Sequence, residues 1–127
     1  MTLTLQSEEE VVSAIDDGLV KAGVIIPPAG YLKKVSEICK KNNVLFIADE
    51  IQTGLGRTGK LWGVDHWDVI PDILTAAKSL GGGVMPISTV CTSEEIFQPM
   101  MYPNPFMHTT TTGGGALACS AAIAAGC

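Results

Sequence analysis

Charge is scarce in this sequence. Asp, Glu, Lys and Arg make up 17 % of the 127 residues, against roughly 25 % in an ordinary soluble domain, so part of the surface is expected to be covered by other protein. Basic runs of five or more are absent, and a net charge of −5 with a pI near 4.8 opposes a phosphate backbone, so nucleic acid is not an expected partner. No apolar run approaches the roughly 20 residues of a membrane span, and no charged start followed by an apolar stretch marks a signal peptide. The expected setting is cytoplasmic, with no membrane partner. Cys39, Cys91, Cys119 and Cys127 are scattered, with neither a CxxC pair nor a cysteine–histidine cluster of zinc spacing. They are expected to be reduced and buried, and no metal site is expected. His66 and His108 lack a neighbouring nucleophile or ligand and are assigned structural roles. Internal repeats and low-complexity tracts are missing too, which leaves one domain's worth of chain.

What is present concentrates in Val44 to Lys60, VLFIADEIQTGLGRTGK, and in Lys78 of AAKSLGGG. Five apolar residues of the kind found in strands buried on both faces run into Asp49 and Glu50, and a glycine-rich turn follows. Asp72 to Ala77 reads as a second short strand that delivers Lys78 to another glycine-rich turn. Parallel neighbours would place both strand ends on one rim of the sheet, where α/β proteins bind ligands. A half-buried lysine there becomes an available nucleophile toward an aldehyde. An aspartate in the same cleft can keep a heterocyclic nitrogen protonated, and the two together suit pyridoxal phosphate.

Around this centre the pattern alternates helix and strand. Ser7 and Glu10 fit a capping box for a helix over about Glu8 to Asp17, stopped by Gly18. Val24-Ile25-Ile26 reads as extended and ends at Pro27-Pro28. Tyr31, Leu32, Val35, Ile38 and Cys39 recur at helical spacing, predicting an amphipathic helix from about Gly30 to Lys41 that ends at Asn42-Asn43. Gly54 to Asp72 reads as ordered loop with Trp62 and Trp67 as packing anchors. Ile87 to Cys91 alternates as a strand, and Thr92 with Glu95 predicts a capped short helix through Phe97, with a loop from Pro99 to Pro105. From about Gly115 a helix of small residues should approach another backbone closely.

Two motif matches in the glycine loop mislead. Gly54-Leu55-Gly56-Arg57-Thr58-Gly59 satisfies GxGxxG, but the dinucleotide fingerprint needs its first glycine directly after the strand and a helix at its third, and KLWGVDHW is a poor helix. Gly54 to Lys60 nearly fits the Walker A pattern. Leu61 stands where the Mg²⁺-holding hydroxyl belongs, and the acidic strand leads straight into the loop instead of standing apart. A P-loop nucleotide-binding protein is therefore the weaker alternative.

The run ADEIQTGLGRTGKLWGVDHWDVIPDILTAAKSLGGGVMPI, and later NPFMHTTTTGGGALACSAAIA, resembles the class III, ornithine and putrescine type, pyridoxal-phosphate aminotransferases. The likeness spans about Gly23 to Ala125, so residues 1–22 read as an N-terminal helical lead and 23–127 as part of a large domain. It implies an α/β three-layer sandwich with a mostly parallel sheet, Ile87 to Cys91 antiparallel, as in the fold type I pyridoxal-phosphate transferases. By the same resemblance Lys78 is the Schiff-base lysine and Asp49 the partner of the pyridine nitrogen. Gln52 would sit near the ring hydroxyl and Ile51 against the ring face. Thr111 would bind the phosphate of a neighbouring subunit's cofactor, implying a homodimer with shared active sites. The implied reaction moves an amino group from an amine donor, ω-amine or amino acid, to a 2-oxo acid acceptor, with a lean to putrescine on NPFMHTTT. Thr112, Gly115 and Ala116 depart from the family's usual aromatic, asparagine and proline. The first phosphate loop and the small C-terminal domain have no counterpart here, so a non-catalytic fragment acting by association is the other alternative.

Overall fold

Hydrogen bonds at helix ends and strand ends set the arrangement of this chain, of which the computed structural model describes residues 26–103 and 110–126. In order these hold helix α1 (Tyr31–Lys41), strand β1 (Ile47–Asp49), a 3₁₀ turn (Gly63–Trp67), strand β2 (Ile73–Ala76), a second 3₁₀ turn (Lys78–Gly81), strand β3 (Thr89–Thr92), and helices α2 (Glu94–Met101) and α3 (Ala116–Ala125). The helix expected over Glu8 to Asp17, the extended pair Val24-Ile25, and His108 and Cys127 lie outside the described residues.

Helix α1 forms where the apolar spacing placed it, and it buries Val35 and Ser36. Its stop is legible in atoms. Asn43 adopts a left-handed φ of 54°, a conformation asparagine tolerates better than most residues. That turn lets the Val44 amide reach the Cys39 carbonyl at 2.9 Å and the Asn43 amide the Lys40 carbonyl at 3.3 Å, the paired bonds of a Schellman ending. The chain is thereby aimed into β1.

Strands β1 and β2 pair in parallel, with Ile47 opposite Ile73, Ala48 opposite Leu74 and Asp49 opposite Thr75. Strand β3 runs antiparallel on the other side of β2, so the order is β1-β2-β3 and this sheet is mixed. The antiparallel third strand agrees with the resemblance, although it begins two residues later than expected. Asp72 fastens the assembly. Its carboxylate accepts the Phe46 amide at 2.7 Å, its own amide donates to the Phe46 carbonyl at 2.9 Å, and its carbonyl accepts the Thr92 hydroxyl at 2.9 Å. One residue thus ties the start of β1 and the end of β3 to β2.

The period-two alternation of a strand sends neighbouring side chains to opposite faces. In β1 and just beyond it, Ala48 and Glu50 point inward at 6 % and 3 % exposure, joining Val35, Val64, Val69 and Ala76 in the core. Leu45 and Ile47 stay 51 % and 56 % exposed on the other face. Burial of β1 on both faces, expected from its apolar run, is therefore corrected: among the described residues nothing covers the outer face. The composition is that of a doubly covered strand; the covering layer is not among these residues.

Two boundaries near β3 also shift. Ser93, not Thr92, caps α2, its hydroxyl accepting the Ile96 amide, because the Thr92 hydroxyl is already committed to Asp72 as the last residue of the strand. The helix continues through Pro99 to Met101, where a loop was expected. The fixed φ of proline is helical, but inside the helix Pro99 removes one amide donor and crowds the Glu95 carbonyl four residues back. Helix α3 does approach a backbone closely: it packs on the turn Lys78–Gly81, and a Cβ at Gly82 would lie 3.1 Å from the Ala125 Cβ.

Candidate active site

Parallel pairing of β1 and β2 brings their carboxyl ends to one rim. Asp49 is the last residue of β1, and Lys78 begins the 3₁₀ turn two residues after β2. Both side chains are exposed. The half-buried setting expected of Lys78 is thus not the one observed, and no described hydrogen bond engages the amine. Its backbone, however, is unusual. Lys78 has a left-handed φ of 48°, a conformation that costs a residue other than glycine about 1–2 kcal/mol. The turn maintains it, with the Leu80 amide bonded to the Ala77 carbonyl at 3.1 Å and the Gly82 amide to the Ser79 carbonyl at 3.0 Å. Strain held in place by its surroundings is a mark of functional positions.

The Asp49 carboxylate is held at one oxygen. Oδ1 accepts the Ile51 amide at 3.1 Å and the Thr75 hydroxyl at 3.3 Å. Ile51 is half-buried and Gln52 exposed, both in the turn that follows. Thr111 lies in the turn before α3, exposed, and no described hydrogen bond links it to Asp49 or Lys78. The end of α3 that meets the Lys78 turn is the far one, at Ala125. So the fold brings the strand end at Asp49, the following turn with Ile51 and Gln52, and Lys78 to one rim.

Glu50, next in sequence to Asp49, does a different job, one that the apolar run before it does not announce. It is buried, and it accepts the Gly63 amide at 2.9 Å, the Val64 amide at 2.8 Å and the Thr53 hydroxyl. These bonds close the glycine loop back onto the strand end. The Trp62 ring lies over Gly54, where a Cβ would come within 2.8 Å of it. Asp65 accepts the Trp62 amide at 2.9 Å, and His66 Nε2 sits 3.0 Å from the Thr58 carbonyl, which gives this histidine a structural contact. The signal for Glu50 was available: consecutive carboxylates on a strand must face opposite ways, so one of them needed donors inside.

The loop is no phosphate cradle. The Gly56 amide bonds the Leu61 carbonyl and the Gly59 amide the Gly56 carbonyl, and the residues after Lys60 form no α-helix before β2. Three of the loop's glycine amides, Gly54, Gly56 and Gly59, are thus used internally, and with no α-helix following the loop the P-loop alternative falls. Among the described residues no group of three or more His, Cys, Asp or Glu is arranged to hold a metal, and no helix is long and apolar enough to cross a membrane.

Open α/β sheets bind their ligands beyond the carboxyl ends of the strands, and that is the rim on which this mixed sheet carries Asp49 and the strained Lys78. The model of the aminotransferase class-III family matches residues 8–125, and the chain belongs to that family. Among solved structures it is similar to the ornithine aminotransferase of Toxoplasma gondii, with 48 % identity and a TM-score of 0.77 over 81 % of this chain and 24 % of that one. The acetylornithine aminotransferase of Elizabethkingia anophelis shows 50 % identity and a TM-score of 0.76 over 84 % and 27 %. The taurine:2-oxoglutarate aminotransferase of Bifidobacterium kashiwanohense, solved in complex with pyridoxal phosphate and glutamate, shows 39 % identity and a TM-score of 0.74 over 81 % and 23 %. The chain spans about a quarter of the length of these relatives. The described α/β elements are accordingly part of the large domain of a fold type I pyridoxal-phosphate enzyme.

Proposed function

We propose that this chain carries the cofactor-attachment rim of a pyridoxal-phosphate-dependent aminotransferase that moves an amino group from an ω-amine or amino acid to a 2-oxo acid. The observation that carries the reading is the parallel register of β1 and β2, which brings Asp49 and Lys78 to the same rim. The residues fit the cofactor: neither Asp49 Oδ2 nor the Lys78 amine has a described hydrogen-bond partner, so a carboxylate oxygen and a primary amine are both available at that rim. When bound, pyridoxal phosphate supplies an electron sink for the bond broken at the amine-bearing carbon. Lys78 would hold the cofactor through its aldehyde and, once released by the incoming amine, act as the base that removes and returns the proton at that carbon. Asp49 would keep the proton on the ring nitrogen, Ile51 would pack on the ring face, and Gln52 would bond near the ring hydroxyl. Thr111, exposed in the turn before α3, would bind the phosphate of a second subunit's cofactor, which makes a homodimer part of the proposal.

The ornithine and acetylornithine relatives support a donor of the ω-amino-acid type, and putrescine belongs in the same panel. One observation favours a second reading, a non-catalytic piece that acts by associating: the open outer face at Leu45 and Ile47. The test is to load the chain with pyridoxal phosphate and offer ornithine, acetylornithine and putrescine in turn. Conversion of bound aldehyde to bound amine supports the aminotransferase reading. Stable binding without conversion by any donor supports the second.

A further inference from the structure

The Asp49 carboxylate is asymmetric. In the parallel ladder Asp49 stands opposite Thr75, and paired positions on adjacent strands present their side chains to one face. The Thr75 hydroxyl donates to Asp49 Oδ1 at 3.3 Å, and the Ile51 amide donates to the same oxygen at 3.1 Å. Oδ2 accepts no described bond. Two donors from different parts of the chain, one on the neighbouring strand and one on the following turn, restrain rotation of the carboxylate about its Cβ–Cγ bond and leave one oxygen to meet a ligand.

We infer that Thr75 is a positioning residue: it holds Asp49 Oδ1 so that Oδ2 is the oxygen presented to the ring nitrogen of the cofactor. The inference rests on the reading that Asp49 faces a protonated heterocyclic nitrogen. The hydroxyl contact is long beside the usual 2.7–2.8 Å or so for such a bond, and contacts of this kind tighten when the site is loaded. Nothing else at the Thr75 position competes for the role. Its carbonyl is separately engaged by the Glu50 amide at 2.9 Å, a bond that any side chain at position 75 leaves in place.

The test uses Thr75→Val, which keeps the shape and removes the hydroxyl, and Thr75→Ser, which restores it. Each chain is loaded with pyridoxal phosphate carrying ¹⁵N in the ring, and cofactor affinity is read by equilibrium dialysis. Thr75→Val is expected to weaken binding roughly 2- to 10-fold, the equivalent of one net hydrogen bond, and to move the ring-nitrogen resonance toward the unprotonated position. Thr75→Ser should return both to the wild-type values. A resonance that is protonated in wild type and unmoved in Thr75→Val overturns the positioning role while leaving the aminotransferase reading intact. A wild-type chain that binds no cofactor counts against the reading, and the inference is then decided without cofactor. The ¹³C resonance of the Asp49 side-chain carboxylate must shift in Thr75→Val and recover in Thr75→Ser; an unmoved resonance overturns the inference.

Discussion

Asp49 and Glu50 are chemically alike and adjacent, yet the regions they anchor differ in almost every physical respect. Glu50 is 3 % exposed, accepts two backbone amides and a hydroxyl, and closes the loop from Gly54 to Trp67 entirely with bonds from this chain. Asp49 lies exposed on the rim with one oxygen engaged and shares that rim with an exposed lysine in a strained conformation. The first region is internally satisfied. The second offers an amine and a carboxylate oxygen and keeps a costly backbone angle, the features by which the proposed ligand site differs from a structural joint. A single peptide bond separates a buried carboxylate bonded at both oxygens from an exposed one with a described bond at only one.

That division can be broken by substitution. Lys78→Ala should have the largest effect on chemistry: covalent attachment of pyridoxal phosphate, and turnover in any enzyme carrying this segment, should fall to background. Unfolding stability should stay within about 0.5 kcal/mol of wild type, as for other exposed positions. A large stability loss in urea titration would place Lys78 in the structural region instead.

Glu50→Ala should do the reverse. Leaving the Gly63 and Val64 amides without their buried acceptor should cost about 3 kcal/mol of stability, read as a lower urea midpoint. Cofactor attachment should be retained at temperatures where the variant remains folded. Gly54→Ala should be milder, about 1–3 kcal/mol, because the added methyl would meet the Glu50 carbonyl and the Trp62 ring, both at 2.8 Å.

The smallest expected effect lies away from both regions. Burial raises the Tyr31 hydroxyl above its ordinary value of 10.0. The folded chain therefore keeps that proton longer than the unfolded chain, so this contribution to stability is complete below pH 10 and is lost as the pH rises through the folded value. Tyr31→Phe should flatten the alkaline end of a stability–pH profile and leave the neutral region unchanged.

Local chemistry made much of this legible. The apolar spacing from Tyr31 to Cys39 gave α1, the two asparagines gave its end, and the apolar run before Asp49 gave β1 and the shared rim. Less legible were features whose partners lie far along the chain with no period to announce them. Glu50 finds its donors 13 and 14 residues away, and Asp72 reaches back 26 residues to Phe46. The cap of α2 was misplaced by one residue because Thr92 and Ser93 are equivalent caps until the strand claims the first. Burial was expected at Leu45 and Ile47 from residue type and at Lys78 from its place at a strand end, and residue type and position do not say which element supplies the cover; all three are exposed.

The central claim is that the rim built by β1 and β2 singles out one lysine for a carbonyl cofactor. The direct measurement is to add pyridoxal phosphate to the purified chain, reduce with borohydride, and map the modified residue by peptide mass spectrometry. Modification at Lys78, saturating near one cofactor per chain, is the predicted result. Labelling spread over Lys33, Lys40 and Lys60 with no preference for Lys78 would contradict it.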